Sequence, residues 1–183
     1  MSERKPEHVF EFIGTYTGKE LTFLDPKEDQ ICLEDIVNNL AKICRFAGNV
    51  SRFYSVAEHS VILAKKVLSE GGSEQEALGA LFHDATEAYL CDVARPIKKH
   101  LGNYMEIEQG LQDVIFSKFG LEPMSQRVED WDINIVADEA AELFQSVPDW
   151  VKYYEPLGVQ ITGWSCDKAE IEFLKMYNKL TGV

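Results

Sequence analysis

The sequence predicts an all-α domain with one small β element near its N-terminus. Three observations carry this reading. From about residue 34 onward, apolar residues recur at helical spacing rather than in alternation. Three tetrads of the helix-opening type, Ser55-Val56-Ala57-Glu58, Ser73-Glu74-Gln75-Glu76 and Asp167-Lys168-Ala169-Glu170, are spread along the chain. Segments rich in β-formers are confined to Phe10–Leu24.

Taken in order, residues 1–8 are polar and read as loose. Between residues 10 and 25, Phe12, Thr15, Tyr16 and Thr17 precede Gly18-Lys19, and Leu21, Thr22 and Phe23 follow it, which reads as a short hairpin closed by Asp25-Pro26. Ile36, Leu40, Ile43, Cys44 and Ala47 share one helical face, and Gly48-Asn49 closes that helix. Ser55 opens a helix to about Leu68, and Ser73 opens another that carries Ala77, Leu78, Leu81, Phe82, Ala85 and Ala88. Pro96 leaves room only for a loop or a short helix. Tyr104, Ile107, Leu111, Val114 and Ile115 continue the helical pattern up to a stop at Gly120. A helix over 130–146, with Ile135, Val136, Leu143 and Phe144 apolar, ends before Pro148, and a last helix covers about 167–181. The 183 residues form a single domain with its core in 35–145.

With 18 Lys+Arg against 31 Asp+Glu the net charge is −13, which argues against nucleic acid or an anionic membrane as the main partner. A small anionic substrate stays open, because a bound cation and a few local basic groups reverse the field inside one pocket. Cys32, Cys44, Cys91 and Cys166 form no CxxC pair and read as reduced, buried core residues. With no secretory or membrane-spanning stretch, the expected location is the cytoplasm, of a bacterium or a phage-infected host.

The chemistry-bearing residues are few. Of four histidines, His59 lies one turn into a capped helix and His83 is followed at once by Asp84. Asp138 sits inside a helix among apolar residues, where an unpaired carboxylate is costly. Imidazoles and carboxylates from facing helices are the means by which a helical bundle holds a divalent metal. His83 and Glu87, four apart, share a helix face.

In that order, Arg45-Phe46, Val56-Ala57-Glu58-His59-Ser60, His83-Asp84-Ala85-Thr86-Glu87, Asp92-Val93-Ala94-Arg95-Pro96-Ile97-Lys98 and Ala137-Asp138-Glu139 resemble the HD-domain metal-dependent phosphohydrolases. The similarity spans about 35–145 and is greatest to the small branch of 5′-deoxynucleotidases and phage deoxynucleotide hydrolases. Weaker likeness at Thr15-Tyr16-Thr17-Gly18 points to the phage-encoded members. The resemblance implies an HD-type helical bundle. It implies metal ligation by His59, His83, Asp84 and Asp138, and an acidic pair, Glu87 and Asp92, around the attacking water. It also implies that Arg45 contacts phosphate and sugar. Where well-known bacterial deoxynucleotidases have Trp after this Arg, the present chain has Phe46, which keeps a stacking face without the indole N–H.

Arg95, Lys98 and Lys99 add positive charge beside the expected site, Lys98 foremost, with Arg52 and Tyr54 as further pocket candidates. The ligand set suits one divalent Mn, Co, Fe, Ni or Zn ion, and His100 reads as a surface residue. The expected activity is hydrolysis at the 5′ α-phosphate of a deoxynucleotide, with a dATP-type triphosphohydrolase ahead of a dNMP-specific 5′-deoxynucleotidase. A non-catalytic metal-binding interaction module is the contrasting reading. Trp150-Val151-Lys152-Tyr153-Tyr154 offers aromatic surface for self-association into a homo-oligomer.

Overall fold

A computed structural model describes residues 11–183, so the expectation for residues 1–8 falls outside the described residues. Among the described residues, strand β1 (Ile13–Gly14) pairs antiparallel with β2 (Glu20–Leu21), with Ile13 opposite Leu21. The turn between them is tied to helix α1 (Leu33–Leu40): the Thr17 N–H and hydroxyl donate to the two Asp35 carboxylate oxygens at 2.7 and 2.9 Å. Asp35 is fully buried, and its hydrogen bonds outweigh the upward push of burial and hold its carboxyl below the usual range.

Most of the rest is helical. Helix α2 (Val56–Ser69) is capped by Ser55, whose hydroxyl accepts from the Glu58 N–H at 3.1 Å. Helix α3 (Glu74–Phe82) is capped in the same way by Ser73. Short helices α4 (Glu87–Leu90) and α5 (Arg95–Lys98) precede α6 (Tyr104–Phe119), which stops at Gly120 with φ +61°. Helices α7 (Gln126–Asn134), α8 (Val136–Leu143) and α9 (Cys166–Thr181) complete the order. Helix α2 lies at the centre, buried almost all round from Val56 to Ala64, against α3 and α9. Helix α1 packs on α4 and α9, and the main core joins Leu40, Val61, Leu63, Leu81, Phe82, Ile115 and Phe173. No helix among the described residues is long and apolar enough to cross a membrane.

Four expectations are corrected. The first helix ends at Leu40 rather than Gly48. Cys44 instead bridges Ser55, and Arg45–Gly48 is a tight turn with Phe46 and Ala47 left-handed at φ 57° and 50°. The reason is geometric: the Arg45 N–H bonds back to the Tyr54 carbonyl, so the chain must reverse within a few residues. The helix expected over 130–146 begins at Gln126, is interrupted at Ile135 and ends at Leu143. The last helix is capped by Ser165, whose hydroxyl faces the Lys168 N–H, rather than by Asp167. None of the four cysteines is buried; all are free thiols, and Cys91 is exposed.

Candidate metal centre

His59 arrives from the first turn of buried helix α2. His83 and Asp84 arrive from the chain just past α3. There the hydrogen bonds shorten to the i→i+3 kind, Glu87 N–H to Asp84 O among them, so the helix tightens before α4 begins. His83 and Glu87 thus do not share a regular α-helical face. Helix α7 supplies Asp132. The donor atoms of His59, His83, Asp84 and Asp132 all lie within 4.8 Å of one another and can hold a metal ion.

The chemistry of the donor set fits a divalent cation. The His59 and His83 Nε2 atoms face each other at 3.2 Å, and Asp132 Oδ1 lies 3.1 and 3.3 Å from them. Asp84 Oδ2 is 3.1 Å from His83 Nε2 and 3.7 Å from His59 Nε2. Each imidazole is oriented from behind: His59 Nδ1 lies 2.8 Å from Glu139 Oε1, and His83 Nδ1 lies 2.8 Å from the Ala80 carbonyl. A ring that donates through Nδ1 presents the Nε2 lone pair to the centre, which is the tautomer a metal needs. Burial disfavours the charged forms of His83 and Asp132. However, Asp84 and then Asp132 raise His83 well above its usual range, and His83 and then His59 hold Asp132 well below the usual carboxylate range, so a metal would take the place of a proton at His83 Nε2.

Asp138, expected as the fourth ligand, is not in this group. Its Oδ2 and Oδ1 accept from the Leu157 and Val159 N–H groups at 2.6 and 3.0 Å. The reason is helical phase. Val128, Asp132, Ile135 and Glu139 follow one another at steps of four, three and four, and so fall on one face. Asp138 stands one residue off that face. Val128, Ile135 and Glu139 are fully buried. Two carboxylates in an otherwise apolar stripe were the signal for Asp132 and Glu139, and neither was singled out from the sequence.

The remaining expected residues divide. Arg45, Phe46, Asp84, Glu87, Asp92, Arg95, Lys98 and Asp132 line one cavity of about 700 Å³. Arg45 lies 3.2 Å (Nε) from Glu139 and 3.4 Å (Nη1) from Asp84, and the two carboxylates overcome burial to raise it above its ordinary range. Lys98 donates to Glu108 at 2.7 Å and stands 3.7 Å from Glu87. Arg95 reaches Asp132 Oδ2 at 3.3 Å. Glu87 is nearly buried, and its Oε2 has no hydrogen-bond partner. Burial first, then Asp84 and Asp92, push its carboxyl up to about 9, and burial also raises Asp92. Arg52 does not line the cavity. Its guanidinium bonds to the Glu142 carboxylate and to the Glu142 and Ile161 carbonyls. Tyr54 is fully buried beneath the site in a cluster with Ile62, Ile135, Leu143 and Ile161. His100 is exposed.

Scanned against models of known protein families, the chain matches none. Two curated proteins are similar to it. One, from Rhodobacter capsulatus, is named Uncharacterized protein RCAP_rcc00048 and is 36% identical over 110 residues, 57% of this chain and 56% of its own length. The other, Uncharacterized protein YfdR of Escherichia coli strain K12, is 41% identical over 133 residues, 72% of each chain. At that identity and coverage the chain belongs to the same family as Escherichia coli YfdR.

Proposed function

We propose that the protein is an HD-type, metal-dependent phosphohydrolase acting at the 5′ α-phosphate of a deoxynucleotide. The observation that supports this most is the composition of one cavity. Two carboxylates of the His59–His83–Asp84–Asp132 cluster, Asp84 and Asp132, line it together with two acids of raised pKa, Glu87 and Asp92, and four cations, Arg45, Arg95, Lys98 and Lys99, while the two imidazoles stand buried beside those carboxylates. His59, His83, Asp84 and Asp132 would hold the ion, which when bound lowers the pKa of water and takes up charge on phosphoryl oxygen.

The chain's own groups do the rest. Arg45 is fixed by Glu139 and Asp84 and presents a planar guanidinium suited to phosphate oxygens. Lys98, steadied by Glu108, adds charge beside Glu87. Glu87 and Asp92, with raised pKa values, exchange protons with the attacking water and with the departing 5′-oxygen of the nucleoside. Water adds to the α-phosphorus, the bond to the 5′-oxygen breaks, and that oxygen leaves protonated as the deoxynucleoside.

The triphosphate form leads, with dATP as its type because the phage-encoded enzymes it resembles include dATP triphosphohydrolases, and Arg95 and Lys99 add positive charge to that of Arg45 and Lys98. One observation favours the monophosphate: Arg45 and Lys98 are already engaged by carboxylates, which leaves less free charge for three phosphates. The test is hydrolysis of a dNTP and dNMP panel with Mn²⁺ or Co²⁺, with phosphate, pyrophosphate and triphosphate resolved as products. Triphosphate release identifies the first form and orthophosphate release from a dNMP the second. Absence of turnover on every nucleotide with every metal contradicts the reading.

A further inference from the structure

The cavity is lined by two chemically different sets of residues. Asp84, Glu87, Asp92, Arg95 and Lys98 make one. Ile133, Val136, Trp150 and Tyr154 make the other. The two sets adjoin along the chain: Ile133 follows Asp132 of the metal-binding cluster directly, and Val136 opens the next helix.

The aromatic wall is firmly mounted. The short helical turn Asp149–Tyr153 follows Pro148, and Val151 is buried against Ala137 and Ala140 of α8. Beyond it, Glu155 N–H donates to Asn134 Oδ1, and Leu157 and Val159 N–H groups donate to Asp138. Trp150 and Tyr154 meet edge to face at 5.9 Å and 88°, while Trp150 stays 42% exposed, so one large ring is held in place and open to solvent. This also assigns Asp138 a use: it secures the segment that follows the aromatic wall. The pentad expected to serve self-association is thereby divided, with Trp150 and Tyr154 in the cavity, Val151 buried and Tyr153 exposed outward.

We infer that the Trp150–Tyr154 wall is the seat of the nucleobase, stacked on Trp150, of the deoxynucleotide whose phosphate lies among the charged residues of the same cavity. This rests on the proposed reaction only for the identity of the ligand. A cavity lined both by charged groups and by a fixed aromatic pair matches a phosphate ester of a flat heteroaromatic ring. It does not match a sugar phosphate or inorganic polyphosphate, which would leave the ring wall without an occupant. Stacking rewards ring area and tolerates different bases, so purines bind ahead of pyrimidines without strict selection.

The experiment compares Trp150→Ala, Trp150→Phe and Tyr154→Ala with the unaltered chain. Two readouts are used: kcat/KM on a purine deoxynucleotide and on its abasic deoxyribose analogue, and equilibrium dialysis of deoxyadenosine, which carries no phosphate. In Trp150→Ala the loss on the base-bearing substrate exceeds the loss on the abasic one by about tenfold. Deoxyadenosine binding weakens by a similar factor, and Trp150→Phe regains most of both. Equal losses on the two substrates, or deoxyadenosine binding that is undetectable or unchanged in Trp150→Ala and Tyr154→Ala, overturn the subsite. Deoxyadenosine binding that depends on Trp150, in a protein that turns over no nucleotide, overturns the reaction and leaves the subsite standing.

Discussion

Buried carboxylates serve two opposite ends in this molecule. At the cavity, Asp84, Glu87, Asp92 and Asp132 stand near one another and near imidazoles, and Glu87 keeps an oxygen with no partner. At the structural staples every acid is saturated. Glu58, fully buried one residue before His59, accepts from the Thr162, Gly163 and Trp164 N–H groups and the Thr162 hydroxyl at 2.5–3.1 Å. Asp138 is bonded in the same manner by two backbone N–H groups, and Asp35 by the Thr17 N–H and hydroxyl and the Cys32 thiol. A carboxylate satisfied by amides fixes the chain; one left facing other ionisable groups is available to a cation or a proton. His59 and Glu58 show the two uses side by side on one helix.

The comparison is sharpest in activity. Glu87→Ala lowers turnover by about 10²–10⁴-fold, the usual span for a proton-transferring group, while metal content stays near that of the unaltered protein. Loss of metal in this variant would make Glu87 part of the binding set. Next comes the group behind His59. Glu139→Gln weakens metal affinity by about 10–100-fold, because a neutral amide oxygen accepts more weakly than the carboxylate that orients the ring and raises its basicity. Calorimetric titration with Mn²⁺ measures it, and unchanged affinity would remove Glu139 from the centre.

The staples respond in stability. Glu58→Gln forfeits charge-assisted bonds to three consecutive amides, worth about 1.5–3 kcal/mol. Gly163 in that loop has φ +73°, and an added Cβ would lie 2.9 Å from the Phe53 carbonyl oxygen, so Gly163→Ala destabilises the same junction. Urea unfolding reads both, and midpoints equal to that of the unaltered chain would break the staple account.

A further contrast is in pH. With metal chelated, the raised Glu87 pKa makes its stability contribution complete below about 4.5 and progressively lost as pH rises towards about 9. Asp35, held low, has the opposite sign: its contribution is present above the ordinary carboxylate value and is lost as pH falls through its folded-state value. Glu87→Gln should therefore flatten the decline of Tm between pH 5.5 and 8.5, whereas Asp35→Asn should flatten only the acid limb. An unchanged alkaline slope in Glu87→Gln counts against a buried, protonated Glu87.

Much of the fold was legible because caps and apolar phase are local. Ser55, Ser73 and Gly120 mark helix ends where they were expected. The turn at Arg45–Gly48 was not, because Phe46 and Ala47 are residues that rarely adopt left-handed backbone, and the contact that imposes it comes from Tyr54. At the site, His59, His83 and Asp84 were visible as residue types in order. Asp132 was missed for Asp138 because the Ala-Asp-Glu string was read without its helical phase. The break at Ile135 and the amides of Leu157 and Val159, which occupy Asp138, lie beyond any local pattern.

That exchange supplies the most direct test of the account. Mn²⁺ binding is titrated by calorimetry in the unaltered chain, in Asp132→Ala and in Asp138→Ala, each first shown to be folded by circular dichroism. The account predicts that Asp132→Ala loses affinity by more than about 100-fold, beyond what the loss of a supporting group costs, while Asp138→Ala binds like the unaltered chain and unfolds at lower urea. Loss of binding in Asp138→Ala with retention in Asp132→Ala would contradict the assignment of the centre.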